Sequence, residues 1–425
     1  MASLIQLPEA RALNSLTPDG RLLFVARVVR MFAFGLLSVV LVLYLAQQKL
    51  SEAEIGFLLS WTLIGDATIS LAITFVADRM GRRRMLMIGA GLMLLAGLTL
   101  ALTNSLLLLV LAAIIGTLSP GGSEVGAFLS IEQAALPQTT QNEFRTAVFA
   151  WYNLVGSFST ALGALLSGAV ASALQQAGYS PLASYRAIIG VYALLGVVLF
   201  FLFTRLSHQV EAQAYVGAAT GATQTAPRFG LHRSRSVVLR LAGLFAIDAF
   251  GGGLVLQSVI AYWFHRRYGV DVRVIGEIFF GANFLAGLSA LAAGRLASRI
   301  GLINTMVWTH IPSNLLLMLV PLMPNATLAI IMLLARFSIS QMDVPTRQSY
   351  TMAVVDPDER AAAAGVTTIT RTIASAFAPT ITGFLFAASF LSAPFFLAGG
   401  LKIIYDLLLY RSFRAVKPPE EQKAS

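Results

Sequence analysis

The sequence predicts an all-α integral membrane protein with 12 transmembrane helices in two pseudo-symmetric six-helix bundles. Three observations lead there. Of the 425 residues, 57% are hydrophobic and only 12% charged, where soluble domains carry about 45–50% and about 25%; the mean hydropathy is +0.75. Apolar runs of about 20 residues, the length a helix needs to cross a bilayer, recur along almost the whole chain. The second six runs also repeat features of the first six. A water-soluble enzyme is excluded by these figures, and continuous rather than alternating runs argue against a β-barrel.

The first six runs fall at 22–46, 55–77, 85–104, 106–134, 146–174 and 184–204. The second six fall at 236–263, 274–297, 302–322, 326–354, 362–389 and 392–410. Between them, Arg205–Arg235 is a long polar stretch rich in Gly, Ala, Thr and Ser, the composition of an exposed linker. The expected organisation is therefore 1–204 as an N-terminal bundle, 205–235 as a cytoplasmic linker, 236–411 as a C-terminal bundle and 412–425 as a cytoplasmic tail. Glu9, Arg11, Asp19 and Arg21 precede the first apolar run, unlike a secretory signal.

Charge sets the orientation. The net charge is +10, from 30 Lys and Arg against 20 Asp and Glu. The basic residues concentrate in alternate short loops, at Arg79, Arg82–Arg84, Arg145, Arg205, Arg228, Arg233, Arg235, Arg295 and Arg299, and in the tail. By the positive-inside rule both termini are cytoplasmic and the basic excess reflects topology, not a nucleic-acid partner. One loop, with His265, Arg266, Arg267 and Arg273, runs against the rule. With no cysteine there is no disulfide or thiol chemistry, and the four histidines have no metal-ligand spacing. No metal or cofactor is expected.

The repeat has an offset of about 220 residues. Ile55-Gly56 matches Ile275-Gly276, and Pro137 matches Pro357. Phe75-Val-Ala-Asp-Arg-Met-Gly81 matches Arg295-Leu-Ala-Ser-Arg-Ile-Gly301. Parallel repeats of this kind pack about an axis along the membrane normal, with a solute site between them. The stretch Thr74 to Arg84, with Asp78, Arg79, Gly81 and Arg82, resembles the loop signature of the major facilitator superfamily; Thr74 replaces its first glycine and Ser298 the acid of the second copy. The resemblance spans the chain and implies alternating access. It also implies a gating role for Asp78, Arg79, Gly81 and Arg82, with Gly81 permitting the tight turn. Glu132 and Arg145, at the inner ends of spans four and five, are expected to join an inner charge network that exchanges during the cycle.

Ionisable groups at bilayer depth are costly and mark pathways or partners. Asp66 lies 12 residues before Asp78, about 18 Å along a helix. Glu124, beside Ser119-Pro-Gly-Gly122, and Asp343 sit at similar depths in spans four and ten, and Asp248 is deep in span seven. Since a carboxylate can gain a proton and arginine cannot lose one, Asp66, Glu124, Asp248 and Asp343 are the proton-coupling candidates. Arg30 and Arg371 are the candidates for an anionic group on the solute. Trp151, Asn153, Phe250, Gln257 and Asn283 could line a cavity. Each has a plainer reading as an ordinary packing residue, as does His310 near Pro312, and Lys402 has Asp406 four residues along as a local partner.

These features predict a proton-linked secondary transporter acting on a small solute, embedded in the lipid of a cell (inner) membrane and functional as a monomer. The first reading is an antiporter exporting an amphiphilic or drug-like molecule. The alternatives are a proton-coupled transporter of an organic anion or small polar metabolite, and a lipid or lysolipid transporter. Span five carries Gly156, Gly163 and Gly168 but lacks the proline of the exporter motif. No nucleotide-binding loop is present.

Overall fold

A computed structural model describes residues 13–122, 127–211, 232–356 and 359–414. Fifteen α-helices are followed in chain order here. The first seven are α1 (Pro18–Gln47), α2 (Glu52–Met80), α3 (Arg82–Leu102), α4 (Leu106–Ile115), α5 (Ala127–Ala135), α6 (Arg145–Gln176) and α7 (Pro181–Thr204). Then come α8 (Arg235–Leu254), α9 (Gln257–Tyr268), α10 (Val272–Ile300), α11 (Leu302–Leu319), α12 (Ala326–Phe337), α13 (Asp343–Ala353), α14 (Arg360–Ala387) and α15 (Ala393–Phe413).

Local chemistry sets many of the boundaries. Thr17 caps α1, with Pro18 opening it and Asp19 in the first turn. Ser51 and Glu54 form a reciprocal capping box on α2, and Asn325 caps α12 through the amide of Leu328 at 2.9 Å. At the α2–α3 junction Gly81 has φ 97°, and at the α10–α11 junction Gly301 has φ 87°. That backbone region favours glycine, so the matched glycines of the repeat make the same turn twice.

Nine spans among the described residues are long and apolar enough to cross a membrane, α8 and α9 counting as one. The runs read as spans four and ten are each broken. Helix α4 stops at Ile115, and the non-helical stretch that follows contains Ser119-Pro120-Gly121-Gly122. Its backbone carbonyls are satisfied from other helices: the Tyr192 hydroxyl donates to Thr117 O at 2.9 Å, the Ser258 amide to Pro120 O at 3.1 Å and the Thr160 hydroxyl to Gly122 O at 3.4 Å. In span ten, α12 ends at Phe337 and α13 begins at Asp343. Both breaks leave pieces too short to cross alone.

The chain divides into two compact units. The first comprises Met1–Ala212, Val255–Gly287 and Pro379–Leu391; the second comprises Gln213–Leu254, Leu288–Ala378 and Ser392–Ser425. In the first unit α1 is the most buried span and packs against α6, α7 and α9. The α1–α6 crossing is close because it is lined by glycine: a Cβ on Gly35 would lie 2.2 Å from the Thr160 carbonyl oxygen, and one on Gly163 would lie 2.1 Å from that of Phe32. Gly56 of α2 meets Pro379 and Gly383 of α14, and Gly276 of α10 meets Ala164 and Gly168 of α6. Within the second unit Leu241, Phe245, Met306, Val307, Tyr350, Tyr405 and Leu409 build a core shared by α8, α11, α13 and α15. Leu102, Leu194, Phe201, Trp308, Phe377 and Phe384 are exposed large apolar residues, the surface expected against lipid tails.

Candidate functional site

The first unit holds a closed ion pair. Arg30 of α1 and Glu132 of α5 are both 0% exposed, and the two guanidinium NH groups donate to the two carboxylate oxygens at 2.6 Å each. The Tyr152 hydroxyl donates to the same carboxylate, and the Phe128 ring lies 4.8 Å from the guanidinium carbon. One turn earlier, Arg27 lies over the Tyr152 ring at 3.9 Å and donates to Asn153 Oδ1 at 3.4 Å. Thus Arg30, read from the sequence as a solute contact, is paired with Glu132, read as part of the gate. Arg145 is exposed, and Trp151 is half-buried on the same helix as Asn153.

Asp66 is 2% exposed in α2 and has no ion pair among the described residues. Glu124 lies outside the described residues, as do the side chains of Asp78 and Arg79. At the turn made by Gly81, the start of α3 is capped by Glu211, whose carboxylate accepts from the amides of Arg82 at 2.5 Å and Arg83 at 3.3 Å. The Arg82 guanidinium donates to the carbonyls of Ala134 and Val210, at 3.4 Å each. Glu211 was not singled out from sequence; its one signal is an acid just after span six, available to a helix N-terminus.

Gln257 and Asn283 come together. Gln257 Nε2 donates to Ser38 Oγ at 2.8 Å, and Asn283 Nδ2 donates to Gln257 Oε1 at 3.1 Å. Nearby in the same unit Glu52 accepts from the Tyr262 hydroxyl at 2.8 Å and from Arg266 Nε at 3.4 Å. Two of the basic residues that run against the orientation rule therefore have acidic partners, since Arg273 also meets Glu277, at 3.2 Å.

The second unit gathers the densest charge. Asp248 of α8 is 3% exposed. Its Oδ1 accepts from Lys402 Nζ at 2.6 Å, and its Oδ2 accepts from Arg347 and Arg371 at 3.0 Å each. Arg347 also donates to Asp343 at 2.9 Å, one turn back on α13. His310 Nε2 lies 3.8 Å from Asp248 Oδ1, while Nδ1 lies 2.9 and 3.1 Å from the two oxygens of Asp406. Asn314 donates to Asp406 at 3.3 Å. Arg336 of α12 lies within electrostatic reach of Asp343 and Asp248, and its Nε has no hydrogen-bond partner among the described residues. Arg371 is the most open of the paired cations, with its side chain 30% exposed. Phe250 is half-buried two residues from Asp248.

Three sequence candidates, Asp248, Asp343 and Arg371, thus share one cluster. His310, Asp406, Arg336, Arg347 and Lys402 complete it. The local expectation of a Lys402–Asp406 pair gives way to Lys402–Asp248 and His310–Asp406. Partners on α8 and α11 point at these groups from other helices, which spacing along one helix cannot reveal.

Membrane-length helices that enclose buried charges, interrupted where spans four and ten should run, are the architecture of a multi-pass integral membrane protein. The family model for the Major Facilitator Superfamily matches residues 23–379 and 249–425. The chain belongs to that superfamily of secondary transporters and is not an enzyme. Among similar proteins is the uncharacterized membrane protein YJR124C of Saccharomyces cerevisiae, 28% identical over 423 residues and 94% of each chain. The crystal structure of the nucleoside transporter NupG aligns with TM-score 0.71 at 14% identity, over 94% of this chain and 100% of that one. The D-xylose-proton symporter aligns with TM-score 0.69 at 13% identity, over 92% and 96%. At these identities the two likenesses establish the fold.

Proposed function

We propose that this chain is a proton-coupled secondary transporter of a small polar organic solute bearing an anionic group. The observation that carries the reading is the surplus of positive charge around Asp248. Among the described residues Arg336, Arg347, Arg371 and Lys402 face three carboxylates, those of Asp248, Asp343 and Asp406. Buried charge without a counter-charge is costly, and an incoming carboxylate or phosphate would supply the missing one. Arg371, the accessible member, is its natural first contact, with a planar fork suited to either group. Lipophilic cations would meet repulsion here, so this geometry favours the polar-anion reading over amphiphilic export.

Twelve crossings complete the reading, with α4 and α5, α12 and α13, and α14 forming spans four, ten and eleven, and with both termini cytoplasmic. The two repeats act as the rocking bodies of an alternating-access cycle, around linker 205–235, in a single chain. Proton coupling is supported by the titratable groups buried in the second unit, where His310 stands between Asp248 and Asp406, and Asp66 is the plainest case of what a buried charge costs. An ionised carboxylate is expensive at that depth without a cation, and a bound proton removes the charge. The similar symporter is by its name proton-linked.

The test is proton flux in proteoliposomes holding the purified full chain and a pH-sensitive dye. The panel comprises lactate, benzoate, citrate and glycerol phosphate, then D-xylose, uridine, tetraphenylphosphonium and lysophosphatidylcholine. Proton movement driven by at least one of the four anions is expected. Movement driven only by the lipophilic cation or the lysolipid would overturn the reading in favour of export or lipid transport.

A further inference from the structure

The cluster around Asp248 contains one side chain whose charge ordinarily changes between pH 5 and 8, His310. Its ring bridges two acids from different helices. Nδ1 faces both oxygens of Asp406 on α15, and Nε2 faces Asp248 Oδ1 on α8 from 3.8 Å. The ring is 6% exposed and stands edge-on to Tyr405, with centroids 6.0 Å apart. Asp406 of α15 and Asp248 of α8 face the ring, and the other charged groups of the cluster, Lys402 of α15, Asp343 and Arg347 of α13, Arg371 of α14 and Arg336 of α12, reach it through those acids.

The geometry distinguishes two states of the ring. In the neutral ring Nδ1–H donates to Asp406, and Nε2 presents a lone pair toward an oxygen that already accepts from Lys402 at 2.6 Å. Two acceptors facing each other do not bond, which matches the separation. A proton taken from solvent onto Nε2 makes it a donor, and closing the gap to hydrogen-bond length needs a movement of about 1 Å. Asp248 would then be drawn by four donors, one for each of its lone-pair sites, and the added positive charge and the pull toward α11 weaken its hold on Arg371. Arg371 is the paired cation with the greatest access to solvent, hence the one that can exchange Asp248 for another anion at least cost.

We propose that His310 binds the coupled proton and, by drawing Asp248 toward itself, releases Arg371 to hold the anionic group of the solute. The inference rests on the anionic-solute reading and goes beyond it. It makes His310 a positioning residue that acts through Asp248, and it fixes the sign of coupling. Proton and anion each favour the binding of the other, and linkage makes that favour mutual. The two therefore travel in the same direction, as a symport.

The experiment uses the full chain in nanodiscs, with histidine nitrogens labelled for NMR and the His310 signal assigned by its loss in His310→Gln. The titration is followed with and without lactate, benzoate, citrate and glycerol phosphate, while radiolabelled forms report binding directly. The expected result is that any anion that binds shifts the His310 titration upward in pH. Its affinity should then improve by up to about tenfold for each unit that pH falls, the limit for one linked proton. In His310→Gln that dependence should shrink to less than about twofold per unit. Asp406→Asn, which keeps the ring in place by a neutral acceptor, should move the His310 titration downward while anion still binds. An anion that binds with the same affinity at every pH, or leaves the His310 titration unmoved, overturns the role of His310 and leaves the anion reading standing. Failure of all four anions to bind at any pH overturns both.

Discussion

Arg30 and Glu132 lie 102 residues apart in sequence and meet through two parallel hydrogen bonds of 2.6 Å, with neither side chain exposed. A pair so enclosed joins α1 to α5, and its first role is architectural. Removing one partner strands a buried charge, a loss of about 3–5 kcal/mol. Glu132→Ala should therefore lower the thermal midpoint of the purified protein sharply. The double change Arg30→Met with Glu132→Met should recover most of the loss. A double variant no more stable than the single would show that the pair contributes more than charge balance.

Arg371 offers the contrasting behaviour. It is partly open and shares Asp248 with Arg347, so Arg371→Lys keeps the charge but loses the planar fork. Anion affinity should fall by about tenfold, the loss of one charge-assisted contact, with the thermal midpoint little changed. Equal affinity in the two proteins would remove Arg371 from the solute site.

Glycine contacts in the first unit make a steric prediction. A Cβ on Gly56 would stand 2.4 Å from the Pro379 carbonyl oxygen, and one on Gly276 would stand 2.7 Å from that of Ala164. Both obstacles are backbone, so Gly56→Ala or Gly276→Ala must push helices apart, at about 1–3 kcal/mol. Gly294 has nothing within 4 Å of such a Cβ, and Gly294→Ala should be neutral or stabilise by about 0.4–1 kcal/mol. Thermal unfolding of the three variants in one detergent would compare them directly.

Outside the spans, Glu359 makes a pH prediction. Burial raises its carboxyl, but the amides of Ser234, His232 and Arg233, with the Ser234 hydroxyl, outweigh that and hold it below the 4.5 of a free glutamate. A carboxyl lowered by folding stabilises above its unfolded value and loses that contribution as pH falls through the folded one. Wild type should thus lose stability as pH drops below about 4.5, and Glu359→Gln should be less stable at neutral pH yet show a flatter acid limb. Parallel acid limbs for the two proteins would remove Glu359 from the pH response.

Much of the architecture was legible because it depends on local chemistry. Apolar runs marked the spans, Gly81 and Gly301 marked two equivalent turns, and the proline and glycines of Ser119-Pro-Gly-Gly122, residues that open a helix, lie where the structure breaks span four. The pairing of charges was not legible. Arg30 read as a solute contact because its partner lies on another helix, and Lys402 read as the partner of Asp406 because spacing along one helix was the only rule at hand. Deep apolar helices such as α1, buried around most of their circumference, have no amphipathic stripe to say which way a charge points. Glu211, and the capping role of Glu359, were missed for a related reason: each caps a helix start more than 120 residues away.

The interrupted span four carries a further consequence, for biogenesis. Its freed carbonyls at Thr117, Pro120 and Gly122 are met by Tyr192, Ser258 and Thr160, all of which follow that segment in the chain and reach the bilayer after it. Ser258 arrives last, from a helix beyond the central linker. The first half of the chain must therefore wait in the bilayer with peptide groups unsatisfied, or shielded by the insertion machinery. It settles only once the second half has begun to follow.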